Sequence, residues 1–188
     1  MTFNDEIVLA LGSNQAFGEV SPADVLTAAI ADLGRCGITV VARSRFFQTP
    51  CFPAGAGPDY VNAAVRVTTD LDPRALLKAL HRVEAGLGRE RRERWAARTV
   101  DIDLIAYGQR VLPDAAGYLA WRDLPPAQQV QQAPQGLILP HPRMHERAFV
   151  LVPMADVAPD WHHPVSGLTV TQMCNCLPKA ALQEVRPL

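Results

Sequence analysis

The order of strand-like and helix-like segments in the first 107 residues limits the folds that this chain can adopt. Runs rich in β-branched and aromatic residues predict strands, whereas apolar residues at helical spacing after Ser21-Pro22 or Asp72-Pro73 predict helices. The predicted elements are a strand, a helix, two strands, a helix and a strand, at residues 7–11, 21–34, 38–47, 60–69, 72–86 and 99–107. This is the order of a split βαβ unit, so we predict an α+β, ferredoxin-like fold with helices on one face of an antiparallel sheet.

The length of the chain and one polar segment indicate how this unit is extended. The 188 residues fit a single domain over 1–188. Residues 110–136 contain Pro125-Pro126, four glutamines between positions 128 and 132, and Pro134, which predict a long surface loop or a partly disordered insertion in that domain. Residues 137–188 return to mixed apolar content and predict a C-terminal extension of short elements.

Composition argues against several classes of partner. The net charge is -1, without the basic excess that favours nucleic acid or anionic membranes, so we expect neither as a partner. The first residues do not resemble a secretory signal, and no apolar stretch approaches the length of a membrane span. The four cysteines do not suggest a disulfide framework, and Cys174-Asn175-Cys176 with His162-His163 lacks the usual zinc-site spacing. We therefore expect a cytoplasmic protein.

Two aspartates alternate with apolar residues on the last of the predicted strands. Asp101 and Asp103 are two positions apart, so their side chains share one face while Val100, Ile102 and Leu104 pack behind them. Neighbouring carboxylates repel each other, and a bound divalent cation removes that penalty. Magnesium often divides its coordination between carboxylates and substrate phosphates. The pair predicts a magnesium site, with two solvated carboxylates at the end of a strand as the alternative.

An arginine-rich segment immediately precedes the aspartates. Five of the 16 arginines fall within residues 88–98, although the whole chain has only two lysines. The planar guanidinium matches phosphate oxygens in a bidentate way, which lysine cannot do. A solvated charge run paired with Glu90 and Glu93 is the alternative. Arginines beside metal-binding acids are typical of a site for a nucleotide polyphosphate, although the segment has no P-loop pattern.

A third cluster surrounds a histidine held between two prolines. His141 lies in a rigid, extended backbone between Pro140 and Pro142, and Arg143 and Arg147 follow one helical turn apart. This arrangement suggests a phosphate contact or a proton donor, with a structural histidine as an equal alternative.

Tyr60 and Asn62 share one face of the third predicted strand. An aromatic ring beside an amide suits a flat heterocycle that has donors and acceptors on its edge. Ordinary strand packing is the alternative unless other evidence points to such a ligand.

Five motifs, in matching order, resemble the 6-hydroxymethyl-7,8-dihydropterin pyrophosphokinase family. The resemblance covers residues 7–178 apart from the insertion, and its Arg-to-Asp block is highly specific. The motifs are Ala10–Asn14, Phe47–Pro50, Tyr60–Ala64, Arg94–Asp103 and Pro140–Arg143.

The resemblance implies a role for each matching residue. Two Mg²⁺ ions are expected at Asp101 and Asp103, and Glu84 is expected to support the site. The implied catalytic residues are Arg89, Arg98, Asp101, Asp103 and His141. The implied ATP-binding residues are Arg91, Arg94, Arg98, Leu104, His141 and Arg147. The implied pterin-binding residues are Thr49, Pro50, Phe52, Tyr60, Asn62, Trp95 and Phe149.

The resemblance also implies a reaction in folate biosynthesis. The hydroxymethyl oxygen of 6-hydroxymethyl-7,8-dihydropterin attacks the β-phosphorus of ATP and expels AMP, and the enzyme is expected to act as a monomer. The alternative is a non-catalytic paralogue that binds a nucleotide or a partner. Three departures bear on ATP contacts: Ala96-Ala97 replaces Gly-Pro after Trp95, His81 stands where some members have glutamine, and residues 110–136 form a longer segment.

Overall fold

The computed structural model describes residues 6–51, 57–88, 99–125, 128 and 132–188. The strands are β1 (Ile7–Ser13), β2 (Thr39–Arg43), β3 (Phe47–Thr49), β4 (Tyr60–Thr68), β5 (Asp101–Tyr107) and β6 (Arg186–Pro187). The helices are α1 (Pro22–Arg35), α2 (Pro73–Gly86), α3 (Ala115–Arg122), a 3₁₀ turn (Met144–Glu146), α4 (Ala148–Val157), α5 (Val170–Cys176) and α6 (Lys179–Gln183).

The strands form one antiparallel sheet in the order β5-β1-β4-β3-β6, with β2 also paired to β4. The strand predicted over residues 38–47 is therefore two strands separated by residues 44–46. At this break the Ser44 hydroxyl accepts a hydrogen bond from Ala64 N at 2.9 Å, in place of a main-chain acceptor. The Ser44 side chain thus interrupts the main-chain hydrogen bonds to β4 at a point where β-propensity alone predicts a continuous strand.

Helices α1 and α2 pack against one face of the sheet, as predicted. The Ser21 and Asp72 side chains accept hydrogen bonds from main-chain N–H groups in the first turns, and proline follows each cap. Both helices turn an apolar stripe toward the sheet, where a continuous core forms. Its fully buried members include Leu9, Leu26, Leu33, Val65, Leu76, Leu80 and Ile102.

The prediction of helices on one face alone was incomplete, because α4 and α5 cover part of the other face. Leu151 and Met154 of α4 pack against Val8, Ala64 and Ala106 in a second core. Helix α4 is apolar on nearly all sides, which removes the helical periodicity that would have revealed its orientation in the sequence. The C-terminal extension is thus a third layer of the fold.

The inserted segment is not a surface loop throughout its length. Helix α3 begins after Asp114, whose side chain accepts a hydrogen bond from Gly117 N at 2.8 Å. Tyr118 is fully buried, and its hydroxyl lies 2.8 Å from Nε2 of His163. The prediction of a loop was wrong here because the high proline and glutamine content around residues 125–134 dominated the composition of the whole segment.

The two ends of the insertion meet, which brings the following residues back to the sheet. Leu112 and Leu139 form an isolated bridge, with main-chain N···O distances of 2.9 and 3.1 Å. His141 N then donates a hydrogen bond to the carbonyl of Ile105 at 2.8 Å. The insertion therefore ends where His141 lies beside β5. No helix in the described part of the chain is long and apolar enough to cross a membrane.

Candidate active site

Strands β4, β1 and β5 place the amide of Asn62, the glycine Gly12 and the carboxylate of Asp101 side by side in one row. Gly12 of β1 pairs with Asn62 of β4 on one side and with Asp101 of β5 on the other. Directly paired residues of antiparallel strands point to the same face. Asp103, paired with Ala10, lies on this face as well, as the strand pattern predicts. The row lies on the face that α4 covers further along the strands.

Gly12 keeps the middle of this row open. A Cβ atom at this position would lie 3.2 Å from Asn62 Oδ1 and 3.9 Å from Tyr60 Cδ1. A side chain here would therefore crowd the amide and the ring. The absence of a side chain leaves a strip of backbone between Asn62 and Asp101 on which a flat ligand can lie.

The amide of Asn62 is held in one orientation. Its Nδ2 donates a hydrogen bond to Thr49 Oγ1 at 2.7 Å, and both side chains are buried. β3 and β4 provide this contact because Thr49 pairs with Tyr60 and Phe47 pairs with Asn62. An amide carries two N–H donors and one carbonyl acceptor, so Asn62 retains groups that can recognise a ligand edge. Tyr60 is half-buried beside it, and Pro50 is exposed.

Arg147, at the start of α4, is near enough to Asp103 and Asp101 to interact with them electrostatically, and Phe149 lies against Arg147. Arg147 is the N-cap residue of that helix, and its guanidinium carbon lies 5.6 Å from the centre of the Phe149 ring. Burial lowers the pKa of Arg147, while the Asp103 and Asp101 carboxylates act in the opposite direction. The Phe149 side chain is 41% exposed, so an aromatic face is open to solvent beside a fixed cation.

The surroundings of His141 favour its neutral form, with the ring available as a hydrogen-bond donor. Burial lowers its pKa to about 3, and the positive charge of Arg147 adds to this effect. Its Nδ1 accepts a hydrogen bond from Arg143 N at 3.2 Å, so the ring proton of the neutral form is on Nε2. His141 can therefore donate a hydrogen bond to a phosphate oxygen, but it is not an imidazolium acid near neutral pH.

Glu84 stabilises the strand that carries the aspartates. Its side chain is 1% exposed, and Oε1 accepts a hydrogen bond from Ile102 N at 2.8 Å. Ile102 lies between the two aspartates, on a strand at the edge of the sheet. The carboxylate of Glu84 thus takes the place of a neighbouring strand at this N–H.

The structure limits how one predicted site residue could contact ATP and leaves other predicted residues outside its description. The Leu104 side chain is 3% exposed and belongs to the core formed with α1 and α2, so an ATP contact at this position would have to involve its main chain. Alternation along β5 places it opposite Asp103. The predicted residues that lie outside the described part of the chain are Phe52, Arg89, Arg91, Arg94, Trp95 and Arg98.

Ser13 is a site-forming residue to which the sequence assigned no role. Its hydroxyl donates a hydrogen bond to the carbonyl of Thr99 at 2.5 Å, and the Ser13 side chain is fully buried. The two residues are 86 positions apart. No local pattern reveals such a contact, although Ser13 follows Gly12 in one of the family motifs.

A cavity of about 420 Å³ lies away from this row. It is lined by Glu6, Arg66, Gln109 and residues 157–162. Arg66 is on the same face of β4 as Asn62, but at the other end of the strand and beyond α4. The cavity therefore does not bring together the predicted site residues.

Comparison with known proteins settles the family. The sequence profile described as 7,8-dihydro-6-hydroxymethylpterin-pyrophosphokinase (HPPK) matches residues 8–159. This chain belongs to the HPPK family. Two curated relatives are named 2-amino-4-hydroxy-6-hydroxymethyldihydropteridine pyrophosphokinase. The protein from Synechocystis is 38% identical over 90% of this chain and 77% of its own length. That from Methylorubrum extorquens is 36% identical over 94% of this chain and 96% of its own length.

Solved structures support the fold of this HPPK family member. A triple mutant of HPPK-DHPS from Plasmodium falciparum aligns with a TM-score of 0.64 and 14% identity over 90% of this chain. The wild-type HPPK-DHPS of the same organism aligns with a TM-score of 0.61 and 15% identity. This chain spans 43% and 44% of those two chains, so it corresponds to less than half of each.

Proposed function

We propose that this HPPK family member transfers a diphosphate group from ATP to the hydroxymethyl group of 6-hydroxymethyl-7,8-dihydropterin and releases AMP, a step of folate synthesis. The observation that carries the proposal is the row Asn62–Gly12–Asp101 on one sheet face. This row places the amide of Asn62 on one side of Gly12 and the carboxylates of Asp101 and Asp103 on the other side. The relatives are named as hydroxymethyldihydropteridine pyrophosphokinases. The name gives the two ligands that such a row would bring together, a pteridine and a donor of the diphosphate group.

The pterin is assigned to the Asn62 end of the row. The amide of Asn62, oriented by Thr49, would bond to the edge of the heterocycle, and Gly12 would leave room for its plane. Tyr60, Pro50 and the exposed ring of Phe149 would offer apolar contact. Phe52 and Trp95 complete the proposed pterin site from residues outside the described part of the chain.

Asp101 and Asp103 are proposed to hold two magnesium ions. In the described part of the chain no three His, Cys, Asp or Glu side chains are arranged around a metal position. Two carboxylate groups with further oxygen ligands from phosphate and water fit the chemistry of magnesium, which rarely occupies an all-protein cage. The ions would supply charge neutralisation on the phosphate oxygens of ATP.

The triphosphate is assigned to the cationic border of the same face. Arg147 brings a guanidinium near both aspartates, and the Nε2–H of His141 offers a neutral donor. We also assign Arg89, Arg91, Arg94 and Arg98 to the phosphates. These donors would hold the β-phosphorus in line with the hydroxymethyl oxygen.

The proposed reaction is a displacement at phosphorus. A bond forms between the hydroxymethyl oxygen and the β-phosphorus, and the hydroxyl proton passes to solvent. The bond from that phosphorus to the oxygen shared with the α-phosphate breaks. AMP leaves with that oxygen. The protein contributes orientation and charge stabilisation rather than a covalent intermediate. We further propose that the chain is a single domain that works as a cytoplasmic monomer.

The proposal is tested by measuring AMP release from ATP and magnesium with and without the pterin. Wild type is expected to release AMP only when the pterin is present, and Asp101→Asn is expected to lose activity about a hundredfold or more, because a charge at the reacting phosphates is removed. Asp160→Asn is the matched control, since Asp160 is exposed and lies at the distant cavity.

The outcomes separate the two functional classes. Equal AMP release with and without the pterin would contradict the assigned acceptor. Tight ATP binding with no AMP formed in wild type would favour the non-catalytic alternative.

A further inference from the structure

The connection between β1 and α1, residues 14–21, touches the ends of two segments that the proposed function assigns to substrates. One segment is residues 50–58, which follows β3 in the chain and includes Pro50 and Phe52 of the proposed pterin site. The other is residues 89–98, which lies between α2 and β5. The contacts involve Asn14 and, at the last position of β1, Ser13.

Ser13 contacts the chain immediately before the aspartates. Its hydroxyl donates to the Thr99 carbonyl at 2.5 Å, and Ser13 and Thr99 are 0% and 9% exposed. Thr99 is two positions before Asp101, while Gly12 beside Ser13 pairs with Asp101 directly. The bond therefore fixes the start of β5 against the end of β1, at the position from which the Asp101 carboxylate projects.

Asn14 contacts the base of the other segment. Its Nδ2 donates to the Pro58 carbonyl at 3.4 Å, and the side chain is 4% exposed. A Cβ atom on Gly57 would lie 3.9 Å from this nitrogen and 3.6 Å from Cys51 Sγ. The two ends of the segment, near Cys51 and Gly57, thus come together beside Asn14.

A third contact joins the connection to α2. Gly88 has φ of +79°, and a Cβ atom there would overlap the ring of Phe17. Phe17 thus packs directly against backbone just beyond the end of α2, the helix that supplies Glu84 to β5. The connection is thereby fixed to the same group of elements that positions the aspartates.

We infer that Ser13 and Asn14 are positioning residues with separate targets. Ser13 positions the proposed magnesium-binding carboxylate of Asp101, and Asn14 positions Cys51, Gly57 and Pro58 beside the pterin end of the row. The inference rests on the proposed function. Neither side chain is assigned a contact with substrate. Ser13 donates to the Thr99 carbonyl and Asn14 donates to the Pro58 carbonyl, so removing each should alter a different kinetic constant.

The test compares Ser13→Ala and Asn14→Ala with a matched control, Ser44→Ala. Ser44 is 4% exposed and its hydroxyl also bonds to main chain, but at the break between β2 and β3. Ser13→Ala is expected to raise the Mg²⁺ concentration for half-maximal rate and lower kcat about threefold to tenfold, with the pterin KM unchanged. Asn14→Ala is expected to raise the pterin KM by a similar factor, with the Mg²⁺ requirement unchanged. Ser44→Ala should change neither constant.

A measurement independent of activity is hydrogen exchange of the substrate-free protein. Amides of residues 100–104 should exchange faster in Ser13→Ala than in wild type, and those in Ser44→Ala should not. Ser13→Cys, which keeps the side-chain shape and a weak donor, should fall between wild type and Ser13→Ala in both exchange and Mg²⁺ requirement. If Ser13→Ala does not fold, the comparison is made with Ser13→Cys instead.

The results distinguish a failed inference from a failed function. A wild type that makes no AMP contradicts the proposed function, whereas hydrogen exchange still reports whether Ser13 fixes the start of β5. An active wild type in which both Ser13 variants match Ser44→Ala overturns the role of Ser13. Parallel changes in Mg²⁺ requirement and pterin KM in both Ser13→Ala and Asn14→Ala overturn the separation of targets.

Discussion

At the scale of single residues, the environment of His141 decides which chemistry it can perform. Burial and the neighbouring Arg147 lower its pKa to about 3, and the hydrogen bond from Arg143 N to Nδ1 leaves the proton on Nε2. The sequence left phosphate contact and proton donation open. The structure favours a neutral donor, because a protonated imidazole would have to share this site with a buried guanidinium.

We predict that His141 supports activity through a hydrogen bond and not through titration. His141→Ala should lower kcat/KM for ATP about tenfold to a hundredfold, since it removes a donor to a charged phosphate. His141→Gln should recover part of this loss because its amide can donate from a similar position. Steady-state kinetics over pH 5.5 to about 8 provide the measurement. This role would be contradicted if the wild-type rate depended on pH through one group with a pKa near the ordinary histidine value and this pH dependence were absent in His141→Gln.

At the scale of elements, β5 is an edge strand that carries the proposed metal ligands. An edge strand leaves one row of main-chain groups without a neighbouring strand. Glu84, on the inner side of α2, accepts from Ile102 N between the two aspartates. A helix packed behind the sheet therefore holds the strand that projects the aspartates from the opposite face.

Replacing Glu84 should destabilise the protein through this contact. Glu84→Ala is expected to lower the free energy of unfolding by about 2–4 kcal/mol, because it leaves a cavity and a buried N–H without its acceptor. Glu84→Gln keeps an oxygen acceptor and should cost less. Urea denaturation monitored by circular dichroism gives the comparison, with Lys78→Ala as the control at an exposed position of the same helix. Equal losses for Glu84→Ala and Lys78→Ala would show that the contact contributes little.

At the scale of the whole molecule, one buried polar pair joins the insertion to the C-terminal layer. Tyr118 of α3 bonds to His163, whose Nδ1 also accepts from Val165 N and Ser166 N. Burial lowers the pKa of His163 to about 4 and raises that of Tyr118 to about 12. Both groups are therefore neutral near pH 7, and the insertion helix packs as part of the domain.

This pair predicts a loss of stability in acid. The pKa of His163 is lower in the folded protein than the ordinary value near 6.5, so the unfolded chain binds more protons between about pH 6.5 and 4. Stability rises with pH in that window and is lost as the pH falls. His163 should account for about 2 kcal/mol of the decrease between about pH 7 and 5.

Denaturant titrations at these two pH values measure the decrease. His163→Gln, which does not titrate, should flatten the pH dependence by that amount. His162→Gln, at the exposed neighbouring position, should retain the wild-type dependence. Identical pH dependences in wild type and His163→Gln would rule out a contribution from this histidine.

Local patterns predicted the first half of the fold and the shared face of the two aspartates. The caps at Ser21 and Asp72 predicted both helices, and strand alternation placed Asp101 and Asp103 on one face. Such features depend on residues within a few positions of each other, so they can be recognised in the sequence alone. The same reasoning missed α3, because composition averages over a segment. It also could not show that the Leu104 side chain lies in the core, because a motif match does not report which face a side chain occupies.

The sequence by itself determined the family, the order of the elements through residue 107 apart from the break between β2 and β3, and the residue types that could bind phosphate, metal and a flat heterocycle. Only the tertiary structure decided that Asn62, Gly12 and Asp101 form one row, that Ser13 reaches Thr99 and that Glu84 supports Ile102. The physical reason is that strand register and buried hydrogen bonds join positions far apart in the chain. Their partners are selected by packing, which no local pattern records.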